Sequence, residues 1–122
     1  MNIVIVDDAK MIRDRIKESF ESIKNIEIVG EANNGIDGLD IINKTNPDFV
    51  LLDFRMPGLN GIEVIKKLKE NNCKAKISIF TSYPYPQYRK KCLEEGADYF
   101  FDKTVDLQNL KNLIMQLSKE AV

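Results

Sequence analysis

The chain alternates between short, almost wholly apolar runs and longer stretches in which apolar residues recur every three or four positions. Short apolar runs are typical of strands buried on both faces of a parallel sheet, whereas the longer spacing is typical of helices that bury one face. The runs predict five strands, at residues 2–6, 26–31, 48–52, 76–80 and 98–101.

A helix is predicted after each strand. The first is expected to begin at Asp8, whose side chain can accept a hydrogen bond from the first turn. The fourth, over 87–95, ends at Gly96 and is poorest in apolar residues, so we expect it to be among the easiest elements to displace. The apolar positions assigned to the five helices in turn are Ile12, Ile16, Phe20 and Ile23; Ile36, Leu39 and Ile42; Ile62, Ile65 and Leu68; Tyr88, Cys92 and Leu93; and Leu110, Leu113, Ile114 and Leu117.

Alternation of strands and helices predicts an α/β fold with a doubly wound, five-stranded parallel sheet and five helices. Each crossover is expected to be right-handed and to cover one face of the sheet. The pattern runs from residue 1 to residue 122 without a linker or an internal repeat. We therefore expect a single domain over 1–122, with no output domain in this chain.

Composition and charge narrow the classes of function. Of the 122 residues, 43% are hydrophobic and 30% are charged, as in soluble globular proteins. A net charge of −1 argues against broad binding to nucleic acid or to a membrane surface, and no apolar run approaches the ~20 residues that span a bilayer. The chain starts on an apolar strand without a signal-like segment, so a cytoplasmic location is expected.

Histidine is absent from the 122 residues, which excludes histidine-based triads, proton relays and zinc sites. The two cysteines, Cys73 and Cys92, have neither the spacing of a metal pair nor the number needed for a disulfide framework. In a cytosolic chain we expect both to be reduced and structural.

Polar residues stand directly after several of the apolar runs. Because the carboxyl ends of parallel strands meet at one edge of the sheet, and ligands bind there in open parallel sheets, we expect these side chains to converge. Carboxylates without histidine suit a hard divalent cation, and a lysine suits a phosphate. The residues are Asp7 and Asp8 after the first strand, Asp53 after the third, Thr81 after the fourth and Lys103 after the fifth.

Each residue has an ordinary alternative role when it is taken alone. Asp8 could simply cap a helix, and Asp53 could simply begin a turn. Thr81 could bond a local backbone group, and Lys103 could be an ordinary solvated lysine. The joint placement favours phosphoryl chemistry assisted by a metal, since aspartate can act as a nucleophile that becomes an aspartyl phosphate.

The order and separation of these residues resemble those of response-regulator receiver domains, and the match covers the whole chain. The resemblance implies a flavodoxin-like fold with strand order 2-1-3-4-5. It also implies a phosphorylation-switched receiver of a two-component system, which is not an enzyme on external substrates but has self-phosphorylation and autodephosphorylation activity. The motif consists of Asp7-Asp8, Asp53, Met56-Pro57-Gly58, Thr81 and Lys103.

The resemblance also implies roles for individual residues. Asp53 would be the phosphoacceptor, and Mg²⁺ (or Mn²⁺) would be held by Asp7, Asp8, Asp53 and the backbone carbonyl of Arg55. Thr81 would donate a hydrogen bond to a phosphoryl oxygen, and Lys103 would pair with the phosphoryl group.

Three further positions follow from the same resemblance. Phe100 falls where the family places its switch aromatic, and it would respond together with Thr81; its alternative role is core packing. Arg55 and Tyr83 each stand two residues after a site residue, where the family tunes the lifetime of the phosphoryl group. Our hypothesis is that they shield it from water or that Arg55 pairs with it.

The implied partners are a sensor histidine kinase or a phosphotransfer protein, and a downstream effector or output domain. The latter would bind the face formed by the fourth helix, fifth strand and fifth helix, where a phosphorylation-dependent homodimer could also form. Direct nucleic-acid or membrane binding by this chain is not expected.

Two alternative functions remain open. A magnesium-dependent phosphatase that works through an aspartyl phosphate usually has a second aspartate two residues after the nucleophile, where this chain has Arg55. A receiver-like interaction module without phosphorylation would be favoured by loss of an acid, the threonine or the lysine, and all of these are present.

Overall fold

Strands and helices alternate through residues 1–120, the part of the chain that the computed structural model describes. Every predicted element is present, and the strand bounds differ from the predicted ones by a residue at most. The elements are β1 (Asn2–Val6), α1 (Lys10–Phe20), β2 (Glu27–Ala32), α2 (Gly35–Thr45), β3 (Phe49–Leu52), α3 (Gly61–Glu70), β4 (Lys76–Thr81), α4 (Pro86–Glu95), β5 (Tyr99–Asp102) and α5 (Leu107–Glu120).

The five strands form one parallel sheet in the order β2-β1-β3-β4-β5. The predicted doubly wound, flavodoxin-like architecture is therefore confirmed. All four residues of β3 are buried, which explains why this strand is a continuous apolar run and not an alternating one.

Successive strand residues bury their side chains on opposite faces of the sheet. Ile3 and Ile5 belong to the core under α1 and α5, together with Ile16 and Leu110. The opposite core, under α2, α3 and α4, contains Val4, Val6, Ile42, Val64, Ile65, Leu68 and Cys92. No described helix is both long and apolar enough to cross a membrane.

Local signals fix most helix ends, but the expected cap at Asp8 is wrong. Ala9 is the N-cap residue of α1 and makes no side-chain cap bond. The Ala9 N–H is instead bonded to Asp7 Oδ1 at 2.9 Å, while Asp8 is exposed. The helix start therefore fastens Asp7 and leaves Asp8 at the surface of the sheet edge.

Two positions assigned to apolar helix faces also lie outside the core. Ile36 is 61% exposed and lies beside Gly58, and Leu93 is 37% exposed. In α4 only Cys92 is buried, which agrees with the prediction that this helix buries little.

The turns that lead from helices into strands lie at the far edge of the sheet from the strand carboxyl ends. Asn25, Asn46 and Asn72, which precede β2, β3 and β4, all have positive φ. Gly96, which precedes β5, also has a positive φ, of 119°. Asparagine and glycine tolerate this left-handed conformation better than other residues do.

Candidate functional site

The register of β1 and β3 brings the three acids together. Val6 is paired with Leu52, and the Asp53 N–H donates to the Val6 carbonyl at 2.9 Å. Asp7 and Asp53 therefore leave their strands at the same level. Carboxylate oxygens of Asp7, Asp8 and Asp53 all lie within 4.8 Å of one another.

Lys103 reaches this cluster from β5 across the sheet edge. Its backbone N–H donates to the Thr81 carbonyl at 2.9 Å. Its ammonium Nζ lies 2.6 Å from Asp7 Oδ2 and 3.2 Å from Asp53 Oδ2, and its side chain is only 10% exposed. The predicted convergence of the lysine with the acids is thus present in the structure.

The surroundings of Asp53 raise the pKa of its carboxyl group. It is buried, and its Oδ1 accepts a hydrogen bond from the Phe54 N–H at 2.8 Å. Burial and the negative charge of Asp7 raise its pKa to about 7; Lys103 opposes this shift and Asp8 adds to it. A carboxyl group in this position needs a further positive charge to remain ionised well below neutral pH.

The donor set fits a hard divalent cation. Three carboxylates face one ammonium, so the cluster has a negative charge that a divalent ion would offset. All three side-chain donors are oxygens, which Mg²⁺ prefers over nitrogen or sulfur.

Thr81 and Phe100 are both buried near this edge. The Thr81 hydroxyl Oγ1 accepts a hydrogen bond from the Tyr83 N–H at 3.0 Å, the local backbone contact that was its ordinary alternative role. Phe100 is 9% exposed and packs in the core under α2, α3 and α4. Its pairing partner Ile79 lies two residues before Thr81 on β4.

Arg55 and Tyr83 are in direct contact. The guanidinium carbon Cζ of Arg55 lies 4.1 Å from the centroid of the Tyr83 ring. Arg55 Nη2 also donates to the Tyr88 hydroxyl on α4 at 3.3 Å. The sequence predicted Tyr88 only as an apolar position of α4. Nothing near it in the chain indicates that its hydroxyl contacts an arginine.

Arg13 is a second residue that sequence reasoning missed. Its Nη1 donates to the Asp7 carbonyl at 2.6 Å and its Nε donates to Glu31 Oε1 at 2.8 Å, with only 12% of the side chain exposed. Lys17 pairs with the same carboxylate at 2.6 Å. Arg13 directly follows Ile12 in the sequence, and nothing in the chain there indicates its contacts with the Asp7 carbonyl and Glu31.

Comparison with known proteins gives one consistent family. A family model for the response regulator receiver domain matches residues 3–115. The nitrate/nitrite response regulator NarL of Escherichia coli is 32% identical over 93% of this chain and 53% of that protein. The uncharacterized transcriptional regulatory protein YhcZ of Bacillus subtilis is 36% identical over 90% of this chain and 51% of that protein. The chain thus spans about half the length of the curated relatives it matches.

Solved structures share the fold. A LuxR-family two-component response regulator from Aurantimonas has a TM-score of 0.89 at 27% identity, covering 98% of this chain and 85% of that one. The CheX–CheY–BeF₃–Mg²⁺ complex from Borrelia burgdorferi contains a chain with a TM-score of 0.86 at 26% identity, covering 96% of this chain and 88% of that one.

Proposed function

This chain belongs to the response regulator receiver domain family of two-component systems, and on that premise we propose that Asp53 accepts a phosphoryl group and that this phosphorylation switches a partner-binding surface. The observation that carries the proposal is the position of the buried Asp53 carboxylate. It lies with Asp7 and Asp8 in one oxygen cluster and 3.2 Å from the Lys103 ammonium.

Mg²⁺ (or Mn²⁺) would be held by Asp7, Asp8, Asp53 and the backbone carbonyl of Arg55. When bound, the ion would supply positive charge against the incoming phosphoryl oxygens. The three carboxylates within 4.8 Å of one another support this assignment.

In the transfer, a carboxylate oxygen of Asp53 attacks phosphorus. A new P–O bond forms while the bond between phosphorus and the donor breaks, and the donor leaves with that electron pair. Lys103 would pair with the phosphoryl group, and the Thr81 hydroxyl would donate a hydrogen bond to a phosphoryl oxygen. In the separate hydrolysis step, water attacks phosphorus, the bond between phosphorus and the Asp53 oxygen breaks, and inorganic phosphate leaves with the Asp53 carboxylate restored.

Phosphorylation would be read through Thr81 and Phe100. The new acceptor oxygens draw the Thr81 hydroxyl toward Asp53, which alters the space available to the Phe100 ring. The populations of the conformations of the α4-β5-α5 face shift as a result. The proposed donors are a sensor histidine kinase or a phosphotransfer protein in the cytoplasm. An effector, an output domain or a second phosphorylated copy would bind the shifted face.

Arg55 and Tyr83 would tune the lifetime of the phosphoryl group. Their contact at 4.1 Å supports a joint action, in which they shield phosphorus from water or Arg55 pairs with a phosphoryl oxygen. Arg55→Ala and Tyr83→Ala are both expected to change the rate of autodephosphorylation, and unchanged rates in both would contradict this role.

Intact-mass spectrometry after incubation with acetyl phosphate and Mg²⁺ tests the proposal. A single phosphoryl adduct is expected in the wild type and in Asp40→Ala, the same substitution at an exposed acid on α2. The adduct should be absent in Asp53→Ala and in the presence of a chelator. A folded wild type that acquires no adduct would favour an interaction module, and turnover of an external phosphate ester would favour a phosphatase.

A further inference from the structure

A bridge of side chains joins the loop after β3 to the start of α4. We call it the arginine–tyrosine bridge, and it consists of Arg55, Tyr83 and Tyr88. The Arg55 guanidinium lies over the Tyr83 ring, at 4.1 Å from its centroid, and donates to the Tyr88 hydroxyl at 3.3 Å. A planar guanidinium suits both contacts at once, because its face stacks on a ring while its edge donates hydrogen bonds.

Each end of the bridge is attached to the proposed phosphorylation site. The Tyr88 ring stacks on Phe54, with centroids 4.7 Å apart, and the Phe54 N–H donates to Asp53 Oδ1. The Tyr83 N–H donates to Thr81 Oγ1, the hydroxyl proposed to turn toward the phosphoryl group. The bridge is therefore one hydrogen bond away from Thr81, and one ring contact plus one hydrogen bond away from Asp53.

Arg55 has a stronger partner available once Asp53 is phosphorylated. Arg55 stands two residues after Asp53, and its side chain is exposed, so it can change rotamer. Phosphoryl oxygens form charge-assisted hydrogen bonds with arginine, which are about twice as strong as bonds to a neutral hydroxyl. A phosphoryl group and the Tyr88 hydroxyl would thus compete for the same guanidinium.

We propose that Tyr88 is a positioning residue that sets the lifetime of the phosphoryl group by holding Arg55 on α4. The inference rests on the function proposed above. In the unphosphorylated protein Tyr88 retains Arg55 at α4; in the phosphorylated protein Arg55 leaves Tyr88 for the phosphoryl group and screens phosphorus from water. Release of Arg55 removes a contact from a helix that buries only Cys92.

The contact of Arg55 with Tyr88 competes with its contact with the phosphoryl group. A change that weakens the bridge leaves Arg55 more often on the phosphoryl group, which slows hydrolysis. A partner that occupies the Tyr88 hydroxyl on α4 would therefore change the phosphoryl lifetime without touching Asp53, because it would free Arg55 to reach the phosphoryl group.

A double-mutant cycle on phosphoryl lifetime tests the proposal. The protein is phosphorylated with acetyl phosphate and Mg²⁺, the donor is removed, and loss of the adduct is followed by intact mass. Tyr88→Phe removes the hydroxyl but keeps the ring that stacks on Phe54, so the fold is preserved. Tyr85→Phe is the matched control, since Tyr85 is half-exposed and meets Tyr88 edge-on.

We expect Tyr88→Phe to lose its phosphoryl group about threefold more slowly than the wild type, as loss of one modest hydrogen bond predicts. Arg55→Ala should lose it faster, and Tyr88→Phe should have no further effect in the Arg55→Ala background. Tyr85→Phe should decay like the wild type, and thermal midpoints should stay alike.

Two results would overturn the inference alone: a wild-type decay rate in Tyr88→Phe, or the same slowing by Tyr88→Phe with and without Arg55. If the wild type acquires no adduct at all, the proposed function fails and this inference fails with it. The phosphorylation of the wild type thus separates the two failures.

Discussion

At the scale of single residues, Lys103 forms ion pairs with both Asp7 and Asp53, and its side chain is nearly buried. Lys103→Met would leave the carboxylates to repel an incoming phosphoryl group. We expect adduct formation with acetyl phosphate to slow by roughly tenfold or more, whereas Lys67→Met, an exposed change on α3, should have no effect. Equal rates in the two variants would contradict the proposed pairing; circular dichroism checks that both fold.

Ser78 is a polar residue of the core whose hydroxyl lacks a hydrogen-bond partner among the described residues. This hydroxyl lies on β4 and is fully buried. Ser78→Ala removes this desolvated group at little cost in volume, so the free energy of unfolding should rise by about 1 kcal/mol. Ser118→Ala is the matched control, since that buried hydroxyl donates to the Met115 carbonyl at 2.9 Å. Urea titration should show the first variant stabilised and the second not.

At the scale of elements, Glu31 ties β2 to α1 through Lys17 and Arg13, which lower its pKa in that order. A lowered carboxyl pKa in the folded state contributes stability above the unfolded pKa, and this contribution is lost as pH falls through the folded value. Glu31→Gln should therefore be destabilised at pH 7, and its difference from the wild type should shrink as pH falls below about 4.3, the ordinary pKa of an unfolded glutamate. Thermal midpoints across this range test it, with the exposed Glu18→Gln as control; a constant difference would contradict it.

The helix α4 has a built-in reporter in Cys92. Burial raises the pKa of this thiol to about 11, so its thiolate fraction near neutral pH is about a hundredfold below that of an ordinary cysteine. In a Cys73→Ser background, we expect labelling by a thiol reagent to be at least that much slower in the native protein than in urea. Native labelling as fast as in urea would mean that α4 is open most of the time.

How far the elements and the site could be predicted depends on where each residue's partner lies. Apolar runs such as β3 are local in the chain and identified the sheet. Asp7, Asp53 and Lys103 each follow such a run, so the rule that strand carboxyl ends share one edge predicted the cluster. The bonds of Arg13 to a backbone carbonyl and of Tyr88 to Arg55 depend on tertiary contacts that no spacing encodes.

Two local patterns gave wrong predictions. Asp8 has the residue type of a helix cap, but the helix starts one residue later and Asp7 takes the local backbone bond. Ile36 has the spacing of a buried stripe, but its side chain lies beside Gly58 and away from the core.

Across the whole molecule, one sheet separates two cores and belongs to both. Leu51 and Leu52 are adjacent on β3, but Leu51 lies in the core under α1 and α5 and Leu52 in the opposite one. Because the cores share their strands, we expect Leu51→Ala and Leu52→Ala each to lower stability by roughly 2–5 kcal/mol within one cooperative transition. Circular dichroism and tyrosine fluorescence should give coincident urea curves, and a separate transition for either variant would show that the faces unfold independently.

The left-handed asparagines divide the molecule into two ends with different constraints. Asn25, Asn46 and Asn72 lie at the sheet edge opposite the acids and the lysine, so demands of backbone shape and demands of chemistry fall on different loops. We therefore expect substitutions at one end to have little effect on the role of the other. A tag, a fused domain or a new chain terminus introduced at the asparagine end would leave the phosphoacceptor chemistry intact, which makes that end the natural place to engineer this scaffold.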